Sequence, residues 1–593
     1  MSLSSLHGDA VMDSTKKPID VGRQSYEDAR DMVALGHTEE LTRKFSSWSM
    51  LALAFSILGT YGTFAQDLAS GLNNGGAITI LWGLVLVFVC NLCVALSLGE
   101  LCSAMPTALG QAYWMHSLWH TPTGRFASYM CAWINTFGWW TLNASLVAFA
   151  TNFLLGIKLM YDPEWAGAGT GWVEFLVYLG ITIVFTGFNL VACRNDRILP
   201  WFNNIVGIQF AALFFILSLA LLISVGTKEG LKFQPASFAF GAWINETGWP
   251  SGVVWFTGLV QAAYGLTAFD SVVHMIEELP NPRVNAPRAI WLSVVLGAIT
   301  GFLFMVVCLF CIQDLDKVIN SPTGLPFMQL VQDCVGLEGA VVLMVLFTMN
   351  SLGQGISITT TGSRLTWGFA RDNGLPFSKY IKRVNKKWKV PPQALLVQGI
   401  LIGLVGLLYL FANTVLEAIL SVATIALTIS YAMPILTLLL VGRNKLPAGG
   451  QFALGRYGPV INWISVVYCV VTTVIFFFPS GPNPSGADMN YAIAVFGVML
   501  VVSIVFWVVQ GRKTYLRVEP SEQVVLEAVH LEDNYVEVPG SSRVDAKGRC
   551  LDLHDGHAFC IMMYKRFCYL FSFTCANSPT RRRNQGMLDR SGR

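Results

Sequence analysis

Asp270 carries the clearest chemical consequence in this sequence, because it closes an otherwise apolar run, Gln261-Ala262-Ala263-Tyr264-Gly265-Leu266-Thr267-Ala268-Phe269-Asp270. A carboxylate at membrane depth is costly unless something pairs with it, so an acid there points to function by default. Three roles suit it: binding a cationic amine, taking up a proton, or capping a half-helix. Glu100, at the close of another apolar stretch, is a second candidate for proton coupling, and Asp67 lies near the outer end of the first stretch. An interfacial position also accounts for both.

The run around Asp270 is poor material for continuous helix, since it combines a glycine, a hydroxyl and the carboxylate. Phe55-Ser56-Ile57-Leu58-Gly59-Thr60-Tyr61-Gly62-Thr63-Phe64 is similar, with two glycines and several hydroxyls. Unwound segments of this kind free backbone N–H and C=O groups to hold a solute or ion at the midplane. Close helix packing explains either run alone. Their places as the first and sixth apolar stretches, equivalent members of two five-span halves, point instead to paired broken helices. A zwitterionic amino acid needs N–H groups for its carboxylate, which Gly59 to Gly62 can supply. A quaternary amine needs an aromatic cage, for which Trp133, Trp139, Trp140, Tyr61, Tyr264 and Phe269 are available, although Trp139 and Trp140 also suit an interfacial belt. These residues leave a carboxylate-bearing solute and a quaternary amine both open.

These residues need a membrane scaffold to position them. Of the 593 residues, 54% are hydrophobic and 13% charged, and apolar runs of about 20 residues recur from Trp48 to Gln510. About twelve spans are expected, near 48–68, 76–98, 127–155, 173–191, 199–225, 252–276, 289–311, 337–361, 394–411, 415–441, 459–478 and 491–510. Residues 1–47 form a polar, disordered tail without a cleavable signal, so the first span is expected to serve as the targeting signal. Residues 511–593 form a second tail.

Charge sets the orientation. If the N-terminus is cytoplasmic, the inner loops between spans hold sixteen Lys and Arg and the outer loops four, Lys158, Lys228, Lys232 and Lys317, and every other Lys and Arg lies in a tail. Both termini are therefore expected in the cytoplasm. Asn245-Glu246-Thr247 fits a glycosylation sequon and falls in an outer loop, making Asn245 a modification candidate.

Other functions find little support. The net charge of +3 is too small to suggest nucleic acid. Most of the 13 cysteines sit inside spans, as small packing residues do. His116 and His120 form one H-x3-H pair without a repeated set of metal boxes, which argues against a membrane enzyme, a metal or another cofactor. Cys550, His554, His557, Cys560, Cys568 and Cys575 in the C-terminal tail fit no standard zinc finger.

Several segments resemble the amino acid, polyamine and organocation superfamily, in its fungal amino acid/choline/GABA permease branch, over about residues 45–515. They are Ser363-Arg364 with Ala370-Arg371-Asp372-Asn373-Gly374-Leu375-Pro376-Phe377-Ser378 and Val390-Pro391; Gly99-Glu100-Leu101-Cys102-Ser103-Ala104-Met105-Pro106-Thr107-Ala108-Leu109-Gly110-Gln111-Ala112-Tyr113-Trp114; Phe269-Asp270, His274-Met275-Ile276-Glu277-Glu278 and Ala286-Pro287-Arg288-Ala289-Ile290; and Ile429-Ser430-Tyr431-Ala432-Met433-Pro434. The resemblance implies an all-α polytopic fold of two inverted five-helix repeats plus two helices, in the plasma membrane, with alternating access. It implies import of an amino acid, GABA or choline-like amine, commonly driven by protons. Leu58, Gly59, Thr60, Tyr61 and Gly62 from span one, and Tyr264, Gly265, Leu266, Thr267, Ala268, Phe269 and Asp270 from span six, would line the site. Some superfamily members carry a Lys in span five for ion coupling, which this chain lacks. A nutrient sensor on the same scaffold is the competing function.

Overall fold

The computed structural model describes residues 40–517 apart from 168, 386–389, 412–414, 480 and 486–488, together with Asp28, Met32, Val33, Leu35 and His37. Most of the N-terminal tail and the cysteines and histidines from Cys550 onward lie outside the described residues. Among those described, every extended element is a helix, and the only bridge of strand type is the isolated pair Asn74 and Asn245.

Eleven described helices are long and apolar enough to cross a membrane: Ser47–Gln66, Gly76–Ala104, Pro122–Tyr161, Gly171–Ala192, Ile198–Thr227, Pro282–Cys311, Leu337–Arg371, Pro392–Leu410, Val422–Val441, Gly455–Ile475 and Ala492–Thr514. In chain order these are spans one to five and seven to twelve. Their outer faces carry exposed apolar side chains such as Ile183, Ile208, Phe215, Ile223, Val501 and Val509, a surface suited to hydrocarbon.

Span six is missing from that set for a physical reason. Its stretch is split into Ser251–Thr257, Leu259–Gly265 and Ser271–His274, none longer than 7 residues. Ala268 takes φ 71°, a conformation that no α-helix accommodates. Span one is interrupted more lightly, at Gly59 (φ 52°, ψ 31°), which ends Ser47–Leu58 and starts Thr60–Gln66. A Cβ on Gly59 would also lie 2.3 Å from Nε2 of Gln354, so both the backbone angle and the neighbouring side chain demand glycine there.

Several helices run well past the hydrocarbon. At about 1.5 Å per residue a 35-residue helix is roughly 50 Å long, against roughly 30 Å of membrane core. The helix of span eight therefore continues to Arg371 and carries Arg364 and Arg371, which the hydropathy pattern assigns to a loop. Span three packs against spans eight and ten, and span two against span seven, leaving the two breaks enclosed between these pairs.

Candidate functional site

Asp270 is fully buried and is the hub of the site. Its Oδ2 accepts from Nε2 of Gln111 at 2.9 Å and from Nε1 of Trp139 at 3.2 Å. Nδ2 of Asn135 approaches the same oxygen at 3.4 Å, and Nε2 of His274 lies 3.0 Å from it. Oδ1 accepts from the Tyr431 hydroxyl at 2.6 Å. The carboxylate makes no side-chain cap for the helix that follows, so the capping role is not the one it fills. Such a cluster of donors stabilises a buried negative charge.

The same neighbours hold the unwound backbone. Tyr431 Oη accepts from the Ala268 N–H at 3.3 Å, and Asn91 Nδ2 lies 3.5 Å from the Leu266 carbonyl. At the break in span one, Gln354 Nε2 donates to the Ile57 carbonyl at 2.9 Å, while Thr63 Oγ1 donates to the carbonyls of Leu58 and Gly59. Side chains from spans two, eight and ten thus take up groups that helix interruption would otherwise leave unpaired.

The remaining residues expected at the site divide into separate places. Tyr61 points toward span five, donating to the Phe210 carbonyl at 2.8 Å and packing on Phe214 and Phe304. Thr60 faces the glycines of span seven, with Oγ1 2.4 Å from where a Gly297 Cβ would lie. Gly62 faces Phe210 and Phe347 with ordinary van der Waals space, and Gly265 is pressed against Phe64. Tyr264 shares a 2.9 Å hydrogen bond with Ser145, and its own hydroxyl-bearing neighbour Thr267 bonds back to Ala263. Phe269 lies against Tyr431 with ring centres 5.0 Å apart. Trp139 is wholly buried on Asp270 and so is no interfacial anchor, whereas Trp140 donates to Thr366 and packs with Trp133. The structure therefore brings Trp139 to Asp270 and pairs Trp133 with Trp140, while Tyr61 packs on Phe214 and Phe304, Tyr264 on Phe149 and Phe269 on Tyr431.

Glu100 sits elsewhere, accepting from Arg443 Nη2 at 2.7 and 2.8 Å and from the Leu454 N–H at 2.9 Å. Asn245 is exposed, with its side chain bonded to Thr247 and Trp249. Gln111, His274, Gln354 and Tyr431 are the site residues that the sequence reading did not single out, and Asn135, which the sequence marks only as a neighbour of the span-three tryptophans, joins them. Gln111, His274 and Tyr431 each lie inside a segment that carries the family resemblance, which was the available signal.

On the side bearing the basic loops, Glu278 is enclosed by two cations, Arg364 Nε at 2.7 Å and Lys44 Nζ at 2.8 Å, all three nearly without exposure. Burial pushes the Glu278 carboxyl up, but Arg364 and Lys44 outweigh it and leave it below its ordinary value. Beside it Arg371 pairs with Glu277 at 2.9 Å. Burial raises the neighbouring Asp372 carboxyl to about 6. Arg364→Met leaves buried Glu278 with Lys44 alone and, by loss of one charge-assisted hydrogen bond, is expected to destabilise the protein by about 1.5–3 kcal/mol, read as loss of folded protein in detergent at lower temperature.

Comparison with known proteins fixes the family. The profile of the amino acid permease family matches residues 45–501, most of the chain. This chain belongs to the amino acid permease family. A choline transporter of Saccharomyces cerevisiae is 30% identical over 532 residues, covering 89% of this chain and 92% of that one. The GABA-specific permease of the same yeast is 29% identical over 530 residues, covering 88% and 90%. The crystal structure of MhsT in complex with L-phenylalanine shares the fold at TM-score 0.51 and 13% identity, over 72% of this chain and 97% of that one. The protein is thus a multi-pass membrane transporter of the permease type.

Proposed function

We propose that this permease imports a small amine-bearing solute, an amino acid, GABA or choline, together with protons, by alternating access around the breaks in spans one and six. Its core would be residues 48–510 as two inverted five-helix repeats plus two helices, in the plasma membrane, with tails 1–47 and 511–593 in the cytoplasm. One observation carries the substrate class. The amides of Gln111 and Asn135 aim their nitrogens at Asp270, and their oxygens, Oε1 and Oδ1, are buried without a partner. Unpaired acceptors on two side chains that contact Asp270 support a solute that donates hydrogen bonds, as an ammonium group does. A primary amine satisfies the acceptors as a donor, whereas a quaternary amine contributes charge alone. The yeast relatives named for choline and GABA fit the same class.

Protons are assigned to Asp270 rather than Glu100, whose carboxylate is held by Arg443. Uptake of radiolabelled choline, GABA and an amino acid panel into permease-deficient yeast tests the reading. Saturable uptake of one of them supports it; none, with the protein at the cell surface, favours the sensor. Orientation has its own test. If the loop holding Asn245 is outside, Asn245→Gln removes a glycan and the protein runs faster on a gel, matching enzymatically deglycosylated wild type. Unchanged mobility of both samples would remove Asn245 as a modified residue.

A further inference from the structure

We infer that Asp270 and His274 together form a proton-binding site, holding one exchangeable proton whose loss strains the tie between span six and the loop at Ala108. The inference rests on the transporter reading above and deepens it by naming the pair that carries the proton. Nδ1 of His274 lies 2.9 Å from the Ala108 carbonyl, which can only accept, so Nδ1 bears a hydrogen. Nε2 lies 3.0 Å from Asp270 Oδ2, and an unprotonated nitrogen would there face an ionised carboxylate lone pair to lone pair. A proton therefore lies between them, as imidazolium with carboxylate or as imidazole with carboxylic acid, and belongs to the pair.

The surroundings leave this pair as the exchangeable element. Span three offers Trp139 and Asn135, which do not ionise, with the Cys131 thiol nearby on the Ser430 carbonyl. Span ten offers the Tyr431 hydroxyl, with the Cys469 thiol of span eleven near it. The segment after span two offers Gln111 and the Ala108 peptide, whose N–H lies 3.3 Å from Glu277, itself paired with Arg371 of span eight. Thus Arg371 reaches the pair only through Glu277 and that peptide. Of the groups touching Asp270, His274 is the one side chain with a second nitrogen already fixed as a donor, to the Ala108 carbonyl.

Location gives the proton a mechanical consequence. His274 ties the end of span six to the loop at Ala108, and Gly110 in that loop (φ 53°) sits so close that a Cβ would be 2.5 Å from Val273 Cγ1. When the proton departs, Nε2 and Oδ2 repel and push the His274 ring off Asp270, which strains the Nδ1–H bond that ties span six to the loop at Ala108. One proton taken from water on the outer side joins the pair, and the same proton leaves to water on the basic side. No other bond is made or broken.

The test compares wild type, His274→Gln and His274→Asn in cells at acid and neutral external pH, following both net uptake and exchange of internal for external labelled solute. An amide at 274 retains a hydrogen bond but cannot titrate. In the variants the acceleration of net uptake by acid is expected to collapse to a ratio of about 1, whatever basal rate of uptake or exchange each retains. Acid acceleration equal to wild type in either variant overturns the inference, as does failure of both variants to reach the membrane, since a proton carrier should tolerate a neutral substitute. Absence of both uptake and exchange in the wild type would instead sink the transporter reading.

Discussion

Asp270→Asn is expected to lower net uptake by at least about 100-fold and to abolish its acid stimulation, while the protein still reaches the membrane. The estimate follows from the hydrogen bonds. Each bond to a charged group is worth about 1.5–3 kcal/mol, so losing two amounts to about 3 kcal/mol or more, and every 1.4 kcal/mol is tenfold. Gln111, Trp139 and Tyr431 all donate to the carboxylate, and an amide presents one acceptor oxygen and an NH2 group that opposes them. Uptake at the wild-type rate with unchanged pH dependence would remove Asp270 from the mechanism. Surface labelling in the same cells separates lost transport from lost protein.

The second large effect distinguishes glycines that look alike in sequence. Gly59→Ala is expected to destabilise the protein by about 2–5 kcal/mol, combining the left-handed backbone penalty of about 1–2 kcal/mol with about 1–3 kcal/mol of overpacking against Gln354. Gly265→Ala meets Phe64 Cε1 at 2.3 Å, and that ring is already confined by Gly301, so overpacking applies there too. Gly62→Ala meets nothing nearer than 3.6 Å and is expected to fold and transport nearly normally. Thermal denaturation of the three variants in detergent reads the contrast. Equal tolerance of Gly59→Ala and Gly62→Ala would show that the break in span one is not held by Gly59 and Gln354.

Different physical terms made different parts of this protein legible. The spans were readable because burial in hydrocarbon is additive along each segment, and eleven of the expected stretches reappear as helices of sufficient length. The expected interruptions also reappear, because Gly59 and the Gly265 to Asp270 run lack what a continuous helix needs. Side-chain direction was not readable. Tyr61 and Thr60 look like site residues in sequence, yet helix geometry turns them toward spans five and seven. The partners of Asp270 were equally hidden, since Trp139 and Tyr431 lie 131 and 161 residues away and meet it only after the helices pack. Arg364 shows a third limit: hydropathy ends a span where the charges begin, but backbone hydrogen bonding continues the helix and buries the arginine against Glu278.

The most direct test of proton-coupled amine transport uses the purified full-length protein in sealed lipid vesicles, with an imposed pH gradient and labelled GABA, choline or amino acid outside. The expected result is accumulation of one solute above its external concentration when the interior is alkaline, falling to equilibration when a protonophore collapses the gradient. Equilibration at the same rate with and without the gradient would contradict the account and leave a facilitator without a proton site.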